Sequence, residues 1–384
     1  MNKKRALILT NYVGFVAFLW NDIKVLTELG YEIHFAAYYP SYVNEKIQTD
    51  KIEEHHVLFI NIPFDSKNPI SKINNSAFRT IVKLLRENQY DIIHCHTPIV
   101  GLLTRIAAQK YRKHTKVIYT THGFAFTHLS SKIEWLKYYT LEILASFFTD
   151  MIITINRQDF DIAKKMYAKE VRYINGVGVD FNKYGNVSIN RDEYRKSIGV
   201  DKDQIMILSV GELSHRKNHQ IIIKALATLE NKNQYVYVIC GRTIGTTDVE
   251  DILKDLAQKE GINLLLLGFR HDIPQIMHCS DIGAIPSIRE GLGLAGIQSL
   301  CAGVPLVGSC VQGIKDYIID GKTGYLNHPL DDRGFAEKIR LLSDEKIRLD
   351  MKKECLQTAK KFDISVSHKQ MKDIYLSFIC NSSD

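Results

Sequence analysis

Ser287-Ile-Arg-Glu-Gly-Leu-Gly-Leu-Ala-Gly-Ile-Gln-Ser-Leu-Cys-Ala-Gly303 is the stretch whose reading decides the fold. The apolar run Ile282 to Ile285 precedes it and Val304-Pro-Leu-Val307 follows, giving the order strand, glycine-rich turn, helix, strand. A helix fed through glycines offers unpaired N–H groups and the positive end of its dipole to an anion. Gly291 and Gly293 allow a ligand to approach the backbone closely. Glu290 stands just before the turn, and with a helix starting near Leu294, Gln298 falls in the second turn, tilted back toward the N-terminus. Two polar side chains then flank one diphosphate-sized site. The stretch also fits G-x-G-x-x-G through Gly291, Gly293 and Gly296, but a dinucleotide fold has its first glycine directly at the strand end, early in its domain. Here Pro286 to Glu290 intervene, three-quarters of the way along the chain. Asp316, the acid expected downstream, falls where Gly313-Ile-Lys-Asp-Tyr looks like another helix start.

Working outward, 384 residues suggest two domains, each able to bury a core, in a chain of ordinary globular composition. Seven cysteines, an odd number without a C-x-x-C pair, favour buried thiols in a reducing compartment over disulfides or a zinc site. The net charge of +7 sits in residues 1–190, which carry 24 Lys and Arg against 17 Asp and Glu. Lys110, Arg112, Lys113 and Lys116 are its densest cluster. A solvated face explains such a cluster, and so does a surface meeting anionic lipid or a lipid-linked diphosphate. No nucleic-acid motif accompanies it. The N-terminal Lys-Lys-Arg and the apolar residues after it imitate a signal peptide, but Asn11, Tyr12 and Gly14 interrupt the run and no cleavage site follows. We read a strand over Arg5 to Leu9, a loop containing Gly14, and a helix running to Gly30. No other stretch is long and apolar enough to suggest a transmembrane helix.

The first half alternates short β-rich runs with helical ones. Ala6 to Leu9, Glu32 to Ala36, Val57 to Ile60, Ile92 to Cys95, Val117 to Thr120 and Met151 to Ile155 predict strands, with helices such as Phe78 to Glu87 and Ile99 to Lys110 between. Ligands of parallel sheets collect beyond the C-terminal strand ends, where Gly14, His94, His96 and His122 fall. No carboxylate cluster in the sequence supports a metal at His94 and His96. From Asp180 to Asn190 the composition turns polar, which predicts a linker. A second sheet follows over Met206 to Val210, Tyr235 to Cys240, Leu264 to Leu267, Ile282 to Ile285 and Val304 to Val307, and the chain closes in a helix, Ile364 to Ile379. Asp159-Phe-Asp161, a D-x-D-like pair, falls at a predicted helix start, where it complements the dipole.

Taken together, Glu290 to Gln298, Thr120-Thr-His-Gly-Phe124, Asp150 to Asn156, Tyr173 to Asp180 and Gly211-Glu-Leu-Ser-His-Arg-Lys-Asn218 resemble the family 4 retaining glycosyltransferases in family order across nearly the whole chain. The resemblance implies the GT-B fold: α/β, with two Rossmann-like parallel-sheet domains facing a cleft. Residues 1–185 would form the acceptor-side domain, completed by a crossing helix, 364–384, and residues 186–363 the nucleotide-sugar domain. In the family's E-x7-E region the first Glu, here Glu290, holds donor-sugar hydroxyls. The turn amides, here around Gly291, Gly293, Leu294 and Ala295, bind diphosphate and sugar. The second Glu binds the ribose diol, and here that position is Gln298, with one acceptor oxygen instead of two. The family's His-Gly singles out His122 beside the donor sugar. Its Gly-Arg-Leu and following Lys embrace the diphosphate; Lys217 matches the Lys, Glu212 replaces the Arg, and Arg216 is the candidate second cation. Gly14 marks the loop where the first domain's cleft should open, and Phe269 and Arg270 fall in a loop expected near the base.

The resemblance implies transfer of a sugar from a nucleoside diphosphate, expected to be UDP, to an acceptor hydroxyl in polysaccharide, capsule or glycolipid assembly. The donor is a substrate, so no cofactor is expected, and no metal. The acceptor is expected to be lipid-linked or a saccharide, met in the cytoplasm or at the inner membrane face through a basic first domain in which Phe15, Phe18, Leu19 and Trp20 crowd the first helix. Two alternatives share the features: a nucleotide-sugar 2-epimerase of the same fold, and a non-catalytic binding subunit, motivated by Glu212 and Gln298.

Overall fold

The computed structural model describes residues 4–40, 52, 54–66, 68–127, 129–243, 245 and 248–380. The chain divides into two compact units, Met1–Gly178 with Ser365–Asp384, and Val179–Ile364.

The first unit is built on a seven-stranded parallel sheet in the order β3-β2-β1-β4-β5-β6-β7. Its strands are β1 (Arg5–Leu9), β2 (Glu32–Ala37), β3 (Leu58–Asn61), β4 (Ile92–His96), β5 (Lys116–Thr121), β6 (Met151–Thr154) and β7 (Glu170–Tyr173). Helices α1 (Trp20–Glu28), α2 (Lys72–Glu87), α3 (Pro98–Ala108), α4 (Lys132–Ser146) and α5 (Arg157–Ala163) alternate with them. The central strands are buried on both faces, as a sheet covered by helices requires: every residue of β4 is buried. Local chemistry sets the helix starts. Ser71, Ser131 and Asn156 accept the amides of Asn74, Glu134 and Asp159, and Glu134 completes a capping box with Ser131.

The second unit holds a six-stranded parallel sheet in the order β10-β9-β8-β11-β12-β13. Its elements are α6 (Phe181–Gly185), α7 (Arg191–Ser197), β8 (Ile205–Val210), α8 (Gln220–Ala227), β9 (Tyr235–Cys240), α9 (Val249–Glu260), β10 (Asn263–Gly268), α10 (Ile273–Cys279), β11 (Ile282–Ile285), α11 (Leu294–Cys301), β12 (Leu306–Ser309), β13 (Gly324–Asn327), α12 (Asp332–Leu342) and α13 (Glu345–Lys360). The last helix, α14 (Ile364–Cys380), returns to the first unit, where Ser367 Oγ accepts from Asn21 Nδ2 (3.1 Å) and donates to the Gly176 carbonyl (3.0 Å).

Several expectations need correction. The edge strands β7 and β13 carry no predicted strand, because four-residue, half-exposed runs lack an apolar signature. The strand expected over Val304 to Val307 begins instead at Leu306: Pro305 has no N–H to give the ladder, and its carbonyl accepts from Gly283 N. The sequence extends the first domain to 185, whereas residues 179–185 belong to the second unit, held by the Val179–Asp363 bridge. The loop and helix expected from Gly14 to Gly30 are a 3₁₀ turn, Val13–Phe18, followed by α1. Of the aromatic cluster there, Leu19 is buried, Phe15 packs edge-on against the His122 ring (4.8 Å) and Trp20 lies against His55 (5.1 Å), leaving Phe18 as its exposed member. Among the described residues no helix is long and apolar enough to cross a membrane.

Candidate active site

Each sheet reverses direction of growth beside its first strand, β1 against β4 and β8 against β11. The loops leaving the C-terminal ends of such a strand pair diverge, and the crevice between them is where ligands of open α/β sheets bind. In the second unit those two loops carry Lys217 and Glu290.

The loop after β8 folds into a 3₁₀ turn, His215–Lys217, that ends at Asn218 in the left-handed conformation (φ 56°). Asparagine tolerates that backbone, and its amide is pinned between the carbonyls of Pro286 (3.1 Å) and Pro329 (2.7 Å). The loop is thereby locked onto the one after β11, and Lys217 Nζ lies 2.5 Å from Glu290 Oε2. Arg216 reaches the same oxygen (3.3 Å) through Nη1, while its Nη2 donates to Glu212 Oε1 (2.8 Å). Ser287 Oγ adds a further bond to Glu290 Oε2 (3.1 Å), and Gln312 Oε1 accepts the Glu290 amide (3.2 Å). Burial pushes the Glu290 carboxyl up, but the charges of Lys217 and Arg216 and the hydrogen bonds from Lys217 and Ser287 outweigh it, so it sits below the usual carboxylate range. Burial of Arg216 favours its neutral form, yet Glu290 and Glu212 raise its pKa further. Glu290 is thus ionised and held by two cations.

Three residues on, Gly293 occupies the left-handed region (φ 80°) as the residue before α11, and no side chain caps the helix. The amides of Leu294 and Ala295 therefore keep their bonding capacity toward the crevice side of the turn. The turn is clamped from behind. Tyr317 OH donates to the Gly293 carbonyl (3.1 Å), and a Cβ on Gly296 would meet that hydroxyl at 2.4 Å. Gln298 lies on α11, partly buried, with its side-chain amide in no hydrogen bond among the described residues. The loop after β10 presents Phe269, 61% exposed and stacked under the Arg242 guanidinium (5.3 Å). Arg270 is paired bidentately with Asp272, whose other partner is Tyr194 OH. Arg270 therefore stiffens this loop instead of offering a free cation.

In the first unit Gly14 lies in the 3₁₀ turn past β1, and His122 follows β5. A row of imidazoles backs His122. His96 Nδ1 shares a proton with His122 Nε2 (3.1 Å), the His94 ring lies 4.2 Å from that of His96, and His94 bonds Thr120 Oγ1 (2.7 Å) and Tyr375 OH (2.8 Å). Burial drives all three toward the neutral form, His94 to about 3, His122 to about 4 and His96 well below its ordinary value. Asp22 is buried behind Tyr375, and its carboxyl is raised by that burial to about 7. The sequence shows no carboxylate cluster for His94 and His96, and the structure adds a single carboxylate: Asp22, His94 and His96 each place one ligand atom within 4.8 Å of the others. Asp22 comes from α1, 72 residues before His94, so no local spacing announces it. Both His94 nitrogens already have partners, whereas His96 Nε2 is buried with no partner among the described residues and His96 meets His94 by ring contact alone; a metal held by His94 would have to displace Tyr375 or Thr120. Asp159 is a second residue whose place the sequence understates. Besides starting α5, its buried carboxylate accepts the Phe124 amide (2.9 Å), tying down the loop that carries His122.

Residues 190–362 match the family model described as glycosyl transferases group 1, and residues 10–156 the model described as glycosyl transferase 4-like. The chain is 31% identical to the putative glycosyltransferase EpsD of Bacillus subtilis, over 99% of this chain and 98% of that protein. The chain belongs to the family 4 glycosyltransferases. A second relative, an Escherichia coli UDP-Gal:alpha-D-GlcNAc-diphosphoundecaprenol alpha-1,3-galactosyltransferase, is 30% identical over 79% of each chain. Among solved structures, Anabaena Alr3699/HepE in complex with UDP and glucose superposes with a TM-score of 0.79 at 19% identity, covering 97% of this chain and 100% of that one. This family 4 member is thus a transferase of the GT-B fold, with two Rossmann-like units.

Proposed function

We propose that this glycosyltransferase moves a sugar from a UDP donor, with retention of anomeric configuration, to the hydroxyl of a lipid-linked saccharide during exopolysaccharide or capsule assembly. The observation carrying the reading is Glu290, ionised in the grip of Lys217 and Arg216 beside the uncapped start of α11. Breaking an anomeric C–O bond builds positive charge on the sugar ring and negative charge on the departing diphosphate. Lys217, Arg216 and the amides of Leu294 and Ala295 are suited to the second charge, at a helix N-terminus where an anion is favoured. Glu290 orients the sugar through its hydroxyls, Gln298 meets the ribose, Phe269 the base, and neutral His122 contacts the sugar as a hydrogen-bond partner.

In this reading these cations take the role a metal plays in other transferases, and the nucleotide-sugar, as a substrate, leaves no need of a cofactor. UDP binding by the HepE structure and the diphosphoundecaprenol acceptor in the name of the E. coli relative support the choice of donor and acceptor class. A lipid-linked acceptor places the enzyme at the inner membrane face, reached peripherally through the first unit. The test is a thermal-shift screen of UDP-, GDP- and ADP-sugars followed by transfer from the best donor to a diphosphate-lipid saccharide, with the new anomeric centre read by NMR. A donor at ~100 times its Kd adds about 2.7 kcal/mol of stability. Stabilisation by GDP-sugars alone, or an inverted product, refutes the UDP or the retaining assignment respectively.

A further inference from the structure

Among the described residues no element covers the outer face of α4. Ile133, Leu136 and Leu144 are 82%, 62% and 54% exposed, and Phe147 and Tyr167 just beyond the helix are 50% and 59% exposed. Their spacing of three, eight and three residues along the helix, with exposed Lys137 and Thr140 between, puts 133, 136, 144 and 147 on one stripe. The opposite face is already used: Trp135 stacks on Tyr139 (4.3 Å), and Glu142, Ala145 and Ser146 are buried. The helix is thus apolar on two sides with one of them in the core.

At its C-terminal end Phe147 and Tyr167 stack face to face (4.2 Å, 12°), held in place by Arg112 donating to the Phe147 carbonyl (2.8 Å) and by the Tyr167 amide donating to Ser146 Oγ (2.9 Å). Exposed lysines flank the stripe. Lys132 and Lys137 lie on α4 itself, with Lys110 and Lys113 beside Arg112 and Lys165 beside Tyr167. None of these five pairs with a carboxylate among the described residues. The carboxylates nearby are spoken for: Glu134 closes the capping box, Asp150 is held by Arg112 and Lys169, Asp161 by Lys164, and Glu142 by Arg105.

We propose that this stripe is a membrane-docking surface whose occupant is an anionic lipid bilayer, with the apolar side chains and the Phe147–Tyr167 pair entering the headgroup boundary and the lysines meeting lipid phosphates. Aromatic residues settle at that boundary, and basic residues around an apolar helix face add attraction to anionic headgroups. A second copy of the chain fits poorly, because two such stripes face to face would bring like charges together. The proposal rests on the reading of a lipid-linked acceptor, and it moves the contact from the Trp20 region, where Leu19 is buried, Phe15 and Trp20 are half-buried against His122 and His55 and Phe18 alone is exposed, to α4.

The test is sedimentation of the full chain with vesicles of phosphatidylglycerol and phosphatidylcholine, against phosphatidylcholine alone, at low and high salt. The wild type should bind the anionic vesicles, and less as salt rises. The doubly substituted Ile133→Ser/Leu136→Ser and Phe147→Ser/Tyr167→Ser chains should each lose about tenfold or more in partitioning, while Trp20→Ser binds like wild type. The substituted side chains are at least half exposed, so circular dichroism should show an unchanged fold. Wild-type binding by both double variants overturns the proposal. So does a wild type that ignores anionic vesicles, or a dimer that the variants dissociate in sedimentation velocity with no change in vesicle binding. The UDP-induced thermal shift is measured on the same samples: its absence in wild type speaks against the UDP-donor reading alone, and its persistence in the variants shows that any lost lipid binding is local to the stripe.

Discussion

Replacing Glu290 by Gln should tighten UDP while abolishing sugar transfer. In the free protein Glu290 Oε2 lies 2.5 Å from Lys217 Nζ and 3.3 Å from Arg216 Nη1, so the cations proposed to meet the diphosphate are already shared with a carboxylate. A phosphate oxygen bonded to Lys217 would lie about 5 Å from that carboxylate, where two like charges repel by about 3 kcal/mol at an effective dielectric of 20 and about 1 kcal/mol when solvent screens the exposed phosphate. The lower figure applies to an open crevice, and it corresponds to about fivefold in Kd. Glutamine keeps the shape and the acceptor oxygen for Ser287, so the fold should survive. Calorimetric titration of UDP into wild type and Glu290→Gln measures the change, and a radiolabelled-sugar assay measures transfer. Because UDP lacks the sugar that Glu290 is proposed to orient, the two readouts should move in opposite directions. Weaker UDP binding in the variant refutes the shared-cation arrangement, and turnover close to wild type refutes the role given to Glu290.

Two further outcomes are expected. Between pH ~6.5 and ~4 the unfolded chain protonates His94, His96 and His122 while the fold keeps them neutral, so their contribution to stability is present above the unfolded pKa and is lost as pH falls; Asp22, raised to about 7, opposes them by one proton over that window. His34, lowered by burial, adds to the loss in the same direction, so stability should fall by about 2.7 kcal/mol per pH unit or more, the worth of two protons, read from urea unfolding followed by tryptophan fluorescence, since Trp20 and Trp135 both lie in the first unit; Asp22→Asn should steepen the slope, and a flat profile refutes the buried neutral histidines. Gln298→Glu should tighten UDP-sugar by about 1 kcal/mol, the worth of one hydrogen bond, and weaker binding by calorimetry would show that the ribose pocket is built around an amide.

What was legible in the sequence was what periodicity and local chemistry encode. The alternating apolar runs located eleven of the thirteen strands among the described residues, and glycines and caps located the turns at their ends, which is enough to put Lys217 and Glu290 on neighbouring loops once the sheet order is parallel. Periodicity failed where a strand is short and half-exposed, as in β7 and β13, and where proline withholds a donor, as before β12. The site features that sequence did not show are all long-range. Asp22 reaches the histidine row from α1, Tyr375 from α14, and Asp159 reaches across from α5 to the Phe124 amide. Each is a single polar residue with a local explanation of its own, as Asp159 had in the helix dipole, so nothing in the chain marks its second role. Exposure is equally invisible: the aromatic crowding at Phe15 to Trp20 and the apolar run in α4 look alike as sequence, and only packing shows that the first leaves one side chain, Phe18, exposed while the second leaves a stripe of them.

The replacement of the family's Arg by Glu212 gains a physical account from the same geometry. With Glu at 212, a second cation must come from elsewhere, and Arg216, four residues on in the 3₁₀ turn His215–Lys217, folds back to pair with Glu212. Glu212 holds one arm of that guanidinium (2.8 Å) while the other arm reaches Glu290 (3.3 Å), so the substituted acid fixes the rotamer of the substituted base. A planar, forked guanidinium held at one edge presents the other edge in a defined direction, which a lysine at 216 could not do. The departure at 212 and the presence of Arg216 are therefore one structural exchange, and they argue against reading Glu212 as decay toward a non-catalytic subunit. A decayed site would leave Glu212 free to repel a diphosphate, whereas here its charge is spent on Arg216 and its pKa, raised by burial but lowered more by the Arg216 bond and charge, stays below the usual carboxylate range.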